Sequence, residues 1–429
     1  MQLDFQSYLL IAIFLGALTF IALEHHFEIN KSWVAIFAGS FMWIIAAWDS
    51  SKLDLRVALR HESADIFELI IFLMGAMTIV EMMGHFRFFN WLEYHLSRLK
   101  ITRGRLFWML GLVTFISSSI LDNLTTTLIM VQIGRKIYKK DSNYLIYLAN
   151  TVIAANAGGA LSPVGDVTTI MLWLADKFTA WEVVLMGTIP SLAAWAIPQA
   201  LLTRQITAEE RDFSNLVPEE PLKWEIIGTG FITFGFAVMV NIVNLPPFFG
   251  ILFGLGASAI IVDYKLKKGK LQKRAGHMTN LIRKIDMATI KFFVGILLAV
   301  GALNHHGVLK EITRVTFGPN PDATSIITGH VIIGIVSSLM DNVPLTASVI
   351  KMLTLNIDFT YWVLLALTAG AGGSILVIGS AAGVAAMGQV KELTFIHYFK
   401  KAALPALLGY LGAVAIWMLE NYFWLRFKV

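Results

Sequence analysis

Ser117-Ser118-Ser119-Ile120-Leu121-Asp122-Asn123-Leu124-Thr125-Thr126-Thr127 sets a carboxylate, a carboxamide and six hydroxyls inside an apolar run. An ionisable group there is costly to desolvate and is retained where something uses it. The order returns as Ser337-Ser338-Leu339-Met340-Asp341-Asn342-Val343-Pro344-Leu345-Thr346, with Asp341 lying 219 positions after Asp122. A third polar stretch, Asn156-Ala157-Gly158-Gly159-Ala160-Leu161-Ser162-Pro163-Val164-Gly165-Asp166-Val167-Thr168-Thr169, also interrupts an apolar segment. Hydroxyls, amide oxygens, carboxylates and the bared carbonyls of unwound helix ends are hard oxygen donors, suited to Na⁺, Li⁺ or another hard cation. Burial disfavours an ionised carboxylate and a bound cation favours it, so one carboxylate can hold a proton or a cation in competition. Asp and Asn are also good N-caps, and Asn342-Val343-Pro344 reads as a helix start. Capping alone could be done by Ser, Thr or Asn at lower desolvation cost.

The elements that would position these residues come in two sets. Phe72-Leu73-Met74-Gly75 answers Phe292-Phe293-Val294-Gly295, and Asn156-Ala157-Gly158-Gly159 answers Gly370-Ala371-Gly372-Gly373. With the Asp-Asn pair, these matches fall in the same order at offsets of 214 to 220, which predicts two homologous halves. Spans are expected at Tyr8–Leu23, Trp33–Trp48 and Ala64–Gly84, followed by a basic amphipathic surface piece from Phe86 to Arg105. Leu106–Ile133 is split by its polar motif into arms of about half the ~20 residues a span needs, with basic residues at both ends. That pattern predicts a re-entrant hairpin. Tyr144–Phe178 contains three glycines and a proline between two apolar arms, which predicts an unwound segment between half-helices. Val183–Leu202 closes the first half, and Glu209, Glu210, Glu219 and Glu220 mark a polar linker. The second half is expected to replay this, with spans at Ile226–Val243, Phe248–Tyr264, Thr289–Asn304 and Ala402–Leu425.

The predicted fold is therefore an all-α polytopic membrane protein of two inverted-topology repeats, each with a re-entrant helical hairpin and a discontinuous transmembrane helix. The first repeat is placed at 1–202 (hairpin about 104–138, broken helix about 144–178), the cytoplasmic linker at 203–222, and the second repeat at 223–429 (hairpin about 322–354, broken helix about 361–390). Composition agrees: of 429 residues 56% are hydrophobic and 15% charged, and mean hydropathy is +0.68. The absence of cysteine excludes disulfides and thiolate chemistry. The formal charge of +5 is mostly loop Lys and Arg, which sets orientation in a membrane and disfavours a nucleic-acid reading. Lys265–Lys284 carries eight Lys or Arg and no acid, so that loop and the ends of the first hairpin are expected in the cytoplasm. Met1 to Phe5 has no basic n-region, so the first apolar run reads as a retained helix.

The counterpart of Asp166 in the second half is Gly379-Ser380-Ala381-Ala382, without a carboxylate, so the halves have diverged where the chemistry sits. Glu68 and Glu81 on one apolar helix, and His85 and His305 near helix ends, are accessory or pH-sensing candidates. His25-His26 lies near a helix end as well.

At Phe72 to Glu81, Ser118 to Thr127, Asn156 to Thr169 and Ser337 to Thr346, the chain resembles the NhaD-type sodium/proton antiporters. That family belongs to an ion transporter superfamily that also holds divalent-anion/sodium symporters and arsenite permeases. The resemblance implies exchange of Na⁺ or Li⁺ for protons by alternating access, with no cofactor, in a homodimer in the membrane lipid of a bacterial inner (cell) membrane. Matching the family's motif are Ser118, Asp122, Asn123, Asn156, Asp166, Thr168, Thr169, Ser337 and Asn342, with Asp341 beside them and Ser374 and Ser380 as looser matches. Asp122, Asn123, Asp166, Thr168 and Asn342 would be the residues on the cation. A sodium-coupled dicarboxylate symporter or a metalloid permease is the alternative, although aspartates at both tips repel an anion. An intramembrane aspartyl protease on Asp122 and Asp166 is more remote: its Gly-x-Gly-Asp signature is replaced by Pro163-Val164-Gly165-Asp166.

Overall fold

Apolar segments separated by Gly, Pro and charged residues fold into helices throughout, and no strand occurs among the described residues. The computed structural model describes residues 4–22, 29–48, 52–98, 101–138, 143–207, 222–268, 278–353 and 357–427. Most of the expected linker, the middle of the Lys265–Lys284 loop, Lys139, Lys140 and His25-His26 lie outside these residues. Six described helices are long and apolar enough to cross a bilayer: Lys52–His85, Ala180–Thr203, Trp224–Ile242, Phe248–Lys267, Met287–His305 and the Phe395–Arg426 stretch. The protein is a multi-pass, all-helical membrane protein. Its exposed Phe, Trp, Leu and Ile side chains along these helices are the surface such a setting requires.

The chain forms two compact units, and each draws on both halves of the sequence. One comprises residues 23–99 and 212–301; the other comprises residues 1–22, 100–211 and 302–429. In the former, glycines allow helix backbones to approach. A Cβ on Gly75 would strike Ile251, and one on Gly295 would strike the Ala35–Ile36 backbone. The indole of Trp43 donates to the Leu298 carbonyl at 2.8 Å.

The second unit carries the polar motifs. Arg103–Ser118 and Asn123–Tyr138 form one helical pair, and Ala323–Val336 and Asn342–Met352 form the other. Two interrupted segments lie with them: Asn143–Gly159 followed by Val167–Leu174, and Phe359–Gly372 followed by Ala381–Gln389. The first helix of each pair packs on the first part of its own interrupted segment. A Cβ on Gly158 would land on the Phe115 carbonyl, and one on Gly372 would land on that of Gly334. The second helices cross over. Asn342–Met352 packs on Val167–Leu174, and Asn123–Tyr138 packs on Ala381–Gln389.

Three details differ from the expectations. The Ala64–Gly84 span is the end of a 34-residue helix that starts at Lys52, because Lys52 to Ser63 holds good helix formers and no breaker. Asn156 to Gly159 stays helical and the break falls at 160–166. The helix cost of adjacent glycines, about 1 kcal/mol each, is offset by the close packing they permit. Val308–Phe317 forms a helix that was not anticipated. It lies 220 positions after Phe88–Ser97, and each follows a residue in the left-handed region, Gly307 (φ 72°) and Arg87 (φ 66°).

Candidate functional site

Four helices begin where the chain breaks, and each start has a side-chain cap. Asp122 Oδ1 accepts from the Thr125 amide at 2.8 Å, and Asp341 Oδ1 accepts from the Val343 amide at 3.1 Å. Asp166 Oδ1 accepts from the Thr168 amide at 3.1 Å, while the Asp166 amide donates to Thr169 Oγ1 at 3.2 Å. Ser380 Oγ accepts from the Gly383 amide at 3.2 Å. Asp166 and Ser380 share the same backbone conformation, φ −141° and ψ 150°. They are the same cap in two chemistries.

Capping leaves one oxygen of Asp166 for other work. Asp166 Oδ2 accepts from the amide of Asn123 at 2.7 Å and from that of Asn342 at 3.2 Å. These asparagines open the second helices of the two pairs, so both pairs converge on one carboxylate, which is 1% exposed. Asn123 also donates to Asn156 Oδ1 at 3.0 Å, and Asn156 donates to Ser374 Oγ and Ser380 Oγ, each at 2.9 Å. The network Asp166–Asn123–Asn156–Ser374–Ser380 with Asn342 is buried throughout. Asp166 lies at a helix N-terminus, whose partial positive charge is worth about 0.3–1 kcal/mol to a carboxylate.

The structure thus brings together Asn123, Asn156, Asp166, Asn342, Ser374 and Ser380, with Thr168 and Thr169 on the turn that holds Asp166. Ser118 and Ser337 act as staples: each hydroxyl donates to a carbonyl of the neighbouring interrupted helix, Ala155 at 2.6 Å and Ala369 at 2.8 Å. Asp122 and Asp341 are half-buried, and each accepts from the start of its own helix. Glu68, Glu81 and His85 belong to the unit that lacks these motifs, where Glu81 pairs with Lys284 at 3.4 Å. His305 stacks edge-on to His306 at 5.5 Å.

Sequence reasoning passed over three residues. Glu62 is 5% exposed, more deeply buried than the half-buried Glu68. His330 is fully buried between Phe317 and Trp362. Tyr398 donates to the Ser374 carbonyl at 2.6 Å and so steadies the break beside the network. Only His330 had a legible signal, an imidazole inside the apolar run from Ile326 to Val336.

A multi-pass helical protein with a buried polar centre where interrupted helices meet is the architecture of a membrane transporter. A family model described as "Citrate transporter" matches residues 10–370. The chain is 36% identical over 408 residues to sodium/proton antiporter 1 of Arabidopsis thaliana, covering 93% of this chain and 70% of that protein. It is 32% identical to sodium/proton antiporter 2 of the same plant (94% and 97% covered). It is 31% identical to the Na(+)/H(+) antiporter NhaD of Alkalimonas amylolytica (97% and 91% covered). The chain belongs to this transporter family, among its NhaD-type sodium/proton antiporters.

Proposed function

We propose that the protein exchanges Na⁺ or Li⁺ for protons across a bacterial cell membrane, and that Asp166 is the group on which the two ions compete. The observation that carries this reading is the convergence of Asn123 and Asn342 on the buried Asp166 carboxylate. Two amide N–H groups and a helix start satisfy that carboxylate as it stands. Half a turn about the terminal torsion of an Asn exchanges donor for acceptor. The same side chains then offer oxygen to a hard cation, together with Thr168 and the carbonyls of the broken helices. Protonation of Asp166 removes the charge that holds the cation, so Na⁺ and H⁺ bind in turn. Alternating exposure of this site to the two sides, in an elevator-like motion of a homodimer, converts competition into exchange.

Inverted repeats with re-entrant hairpins suit this mechanism. The matched caps, staples and glycine contacts of the two halves support that reading. The Asn123 and Asn342 helix starts would lie near mid-membrane, one hairpin entering from each side.

A symporter of citrate-like anions is the second reading, favoured by the description of the matching family model. The buried Asp166 weighs against it, because a carboxylate in the site repels a polyanion. Proteoliposomes with an imposed proton gradient and an internal pH dye decide between them. Na⁺ or Li⁺ should dissipate the gradient, whereas K⁺ and citrate should not. Dissipation that requires citrate would overturn antiport.

A further inference from the structure

Helical threonines in this protein usually turn their hydroxyl back to the carbonyl four residues earlier. Thr78, Thr114, Thr151, Thr188, Thr203, Thr233, Thr313 and Thr368 all do so, at 2.5 to 2.9 Å. Five fully or almost fully buried helical threonines depart from this habit. Among the described residues, the hydroxyls of Thr126, Thr127, Thr168, Thr346 and Thr360 have no hydrogen-bond partner, although each residue is at most 1% exposed. An unmade hydrogen bond at a buried hydroxyl costs about 1–3 kcal/mol. Thr360 opens a helix capped by Asp358; the other four belong to helices whose starts surround Asp166.

Thr127 follows Asn123 by four residues and Thr346 follows Asn342 by four, so each shares a helix face with the asparagine whose amide reaches Asp166. The two positions are counterparts, 219 apart. Their surroundings differ because the second helices cross over. The helix bearing Thr346 packs on Val167–Leu174, which carries Asp166 at its cap and Thr168 in its first turn. The helix bearing Thr127 packs on Asn143–Gly159 and, among the segments that restart after a break, on Ala381–Gln389, whose cap is the neutral Ser380.

We propose that Thr346 is a further cation ligand, completing with Asp166 and Thr168 an oxygen site on the seam between Asn342–Met352 and Val167–Leu174. Thr127 is its neutral-seam counterpart and carries no such role. The inference rests on the sodium/proton reading above and adds a residue to it. One carboxylate and two hydroxyls, with main-chain carbonyls nearby, suit a hard monovalent cation.

The test is Na⁺ affinity of the purified full-length protein, read from proton release on NaCl addition in weakly buffered detergent, alongside exchange in proteoliposomes. Thr346→Val keeps the shape and removes the oxygen. It should raise the apparent Na⁺ Kd about fivefold or more, while Thr346→Ser and Thr127→Val stay within about twofold of the parent. Should Thr346→Val insert poorly, Thr346→Ala against Thr346→Ser gives the same contrast. Parent-like affinity in the hydroxyl-free variants overturns the ligand role while leaving exchange intact. Equal weakening by Thr346→Val and Thr346→Ser assigns the residue to packing and also overturns it. A parent protein that neither releases protons nor exchanges Na⁺ removes the sodium/proton reading and this inference with it.

Discussion

At the scale of single residues, what distinguishes Asp166 from Asp122 and Asp341 is the second oxygen. All three cap a helix, but Asp166 Oδ2 also takes one amide from each helical pair. Asn is about as good a cap as Asp, so Asp→Asn variants separate charge from capping. Asp166→Asn is expected to abolish Na⁺-driven proton movement with the protein still folded, while Asp341→Asn retains measurable exchange. Comparable losses in the two, with normal insertion, would show that the tips share the work. Competition has a further signature. Below the pH at which the site is half-protonated, apparent Na⁺ affinity should fall about tenfold per unit drop in pH for each competing proton. A flat profile between pH 6 and 9 in Na⁺-dependent proton release would sink the shared-carboxylate mechanism. Asp166 was legible in the sequence as a lone acid in a glycine-rich break. Its two asparagine partners were legible as motif members only, since nothing local says that motifs 219 residues apart meet at one oxygen.

At the scale of elements, the small residues of the interrupted helices decide how closely backbones approach. Gly158→Ala or Gly372→Ala places a methyl on a neighbouring carbonyl. Overpacking of this kind costs roughly 1–3 kcal/mol and should lower the melting temperature in detergent, where Gly388→Ala, with open space around it, should not. A comparable drop for all three variants would remove the packing argument. The helix at Val308–Phe317 shows where pattern reading fails. Lys310, Glu311, Thr313 and Arg314 make the segment too polar for a span, and its amphipathic spacing marks a short surface helix that a search for spans passes over. The long spans, by contrast, were legible because bilayer thickness dictates their length. Re-entrance can be tested on the first pair. Single cysteines at Arg105 and Lys136, in a chain without any other, should react with an impermeant maleimide from the same side of the membrane. Labelling from opposite sides would make the pair an ordinary crossing.

At the scale of the whole molecule, the family was legible in the Asp-Asn motifs and their spacing, and the relatives bear this out over more than nine-tenths of the chain. The compact units were not legible. They interleave the two halves of the sequence, since 23–99 joins 212–301 and 100–211 joins 302–429. Hydropathy reports which residues enter the membrane and is silent on which helices then choose one another, because lipid tails are as apolar as the helices they surround.

The crossing of the second helices has a consequence for biogenesis. Val167–Leu174 leaves the ribosome long before Asn342–Met352, and Asn123–Tyr138 long before Ala381–Gln389, so neither seam can close until almost the whole chain has been made. A nascent chain halted after residue 207 holds Asp166 with only one of its two asparagines. Fragments 1–207 and 222–429 made separately should therefore be inert, and their co-expression in one cell should restore salt tolerance by complementation.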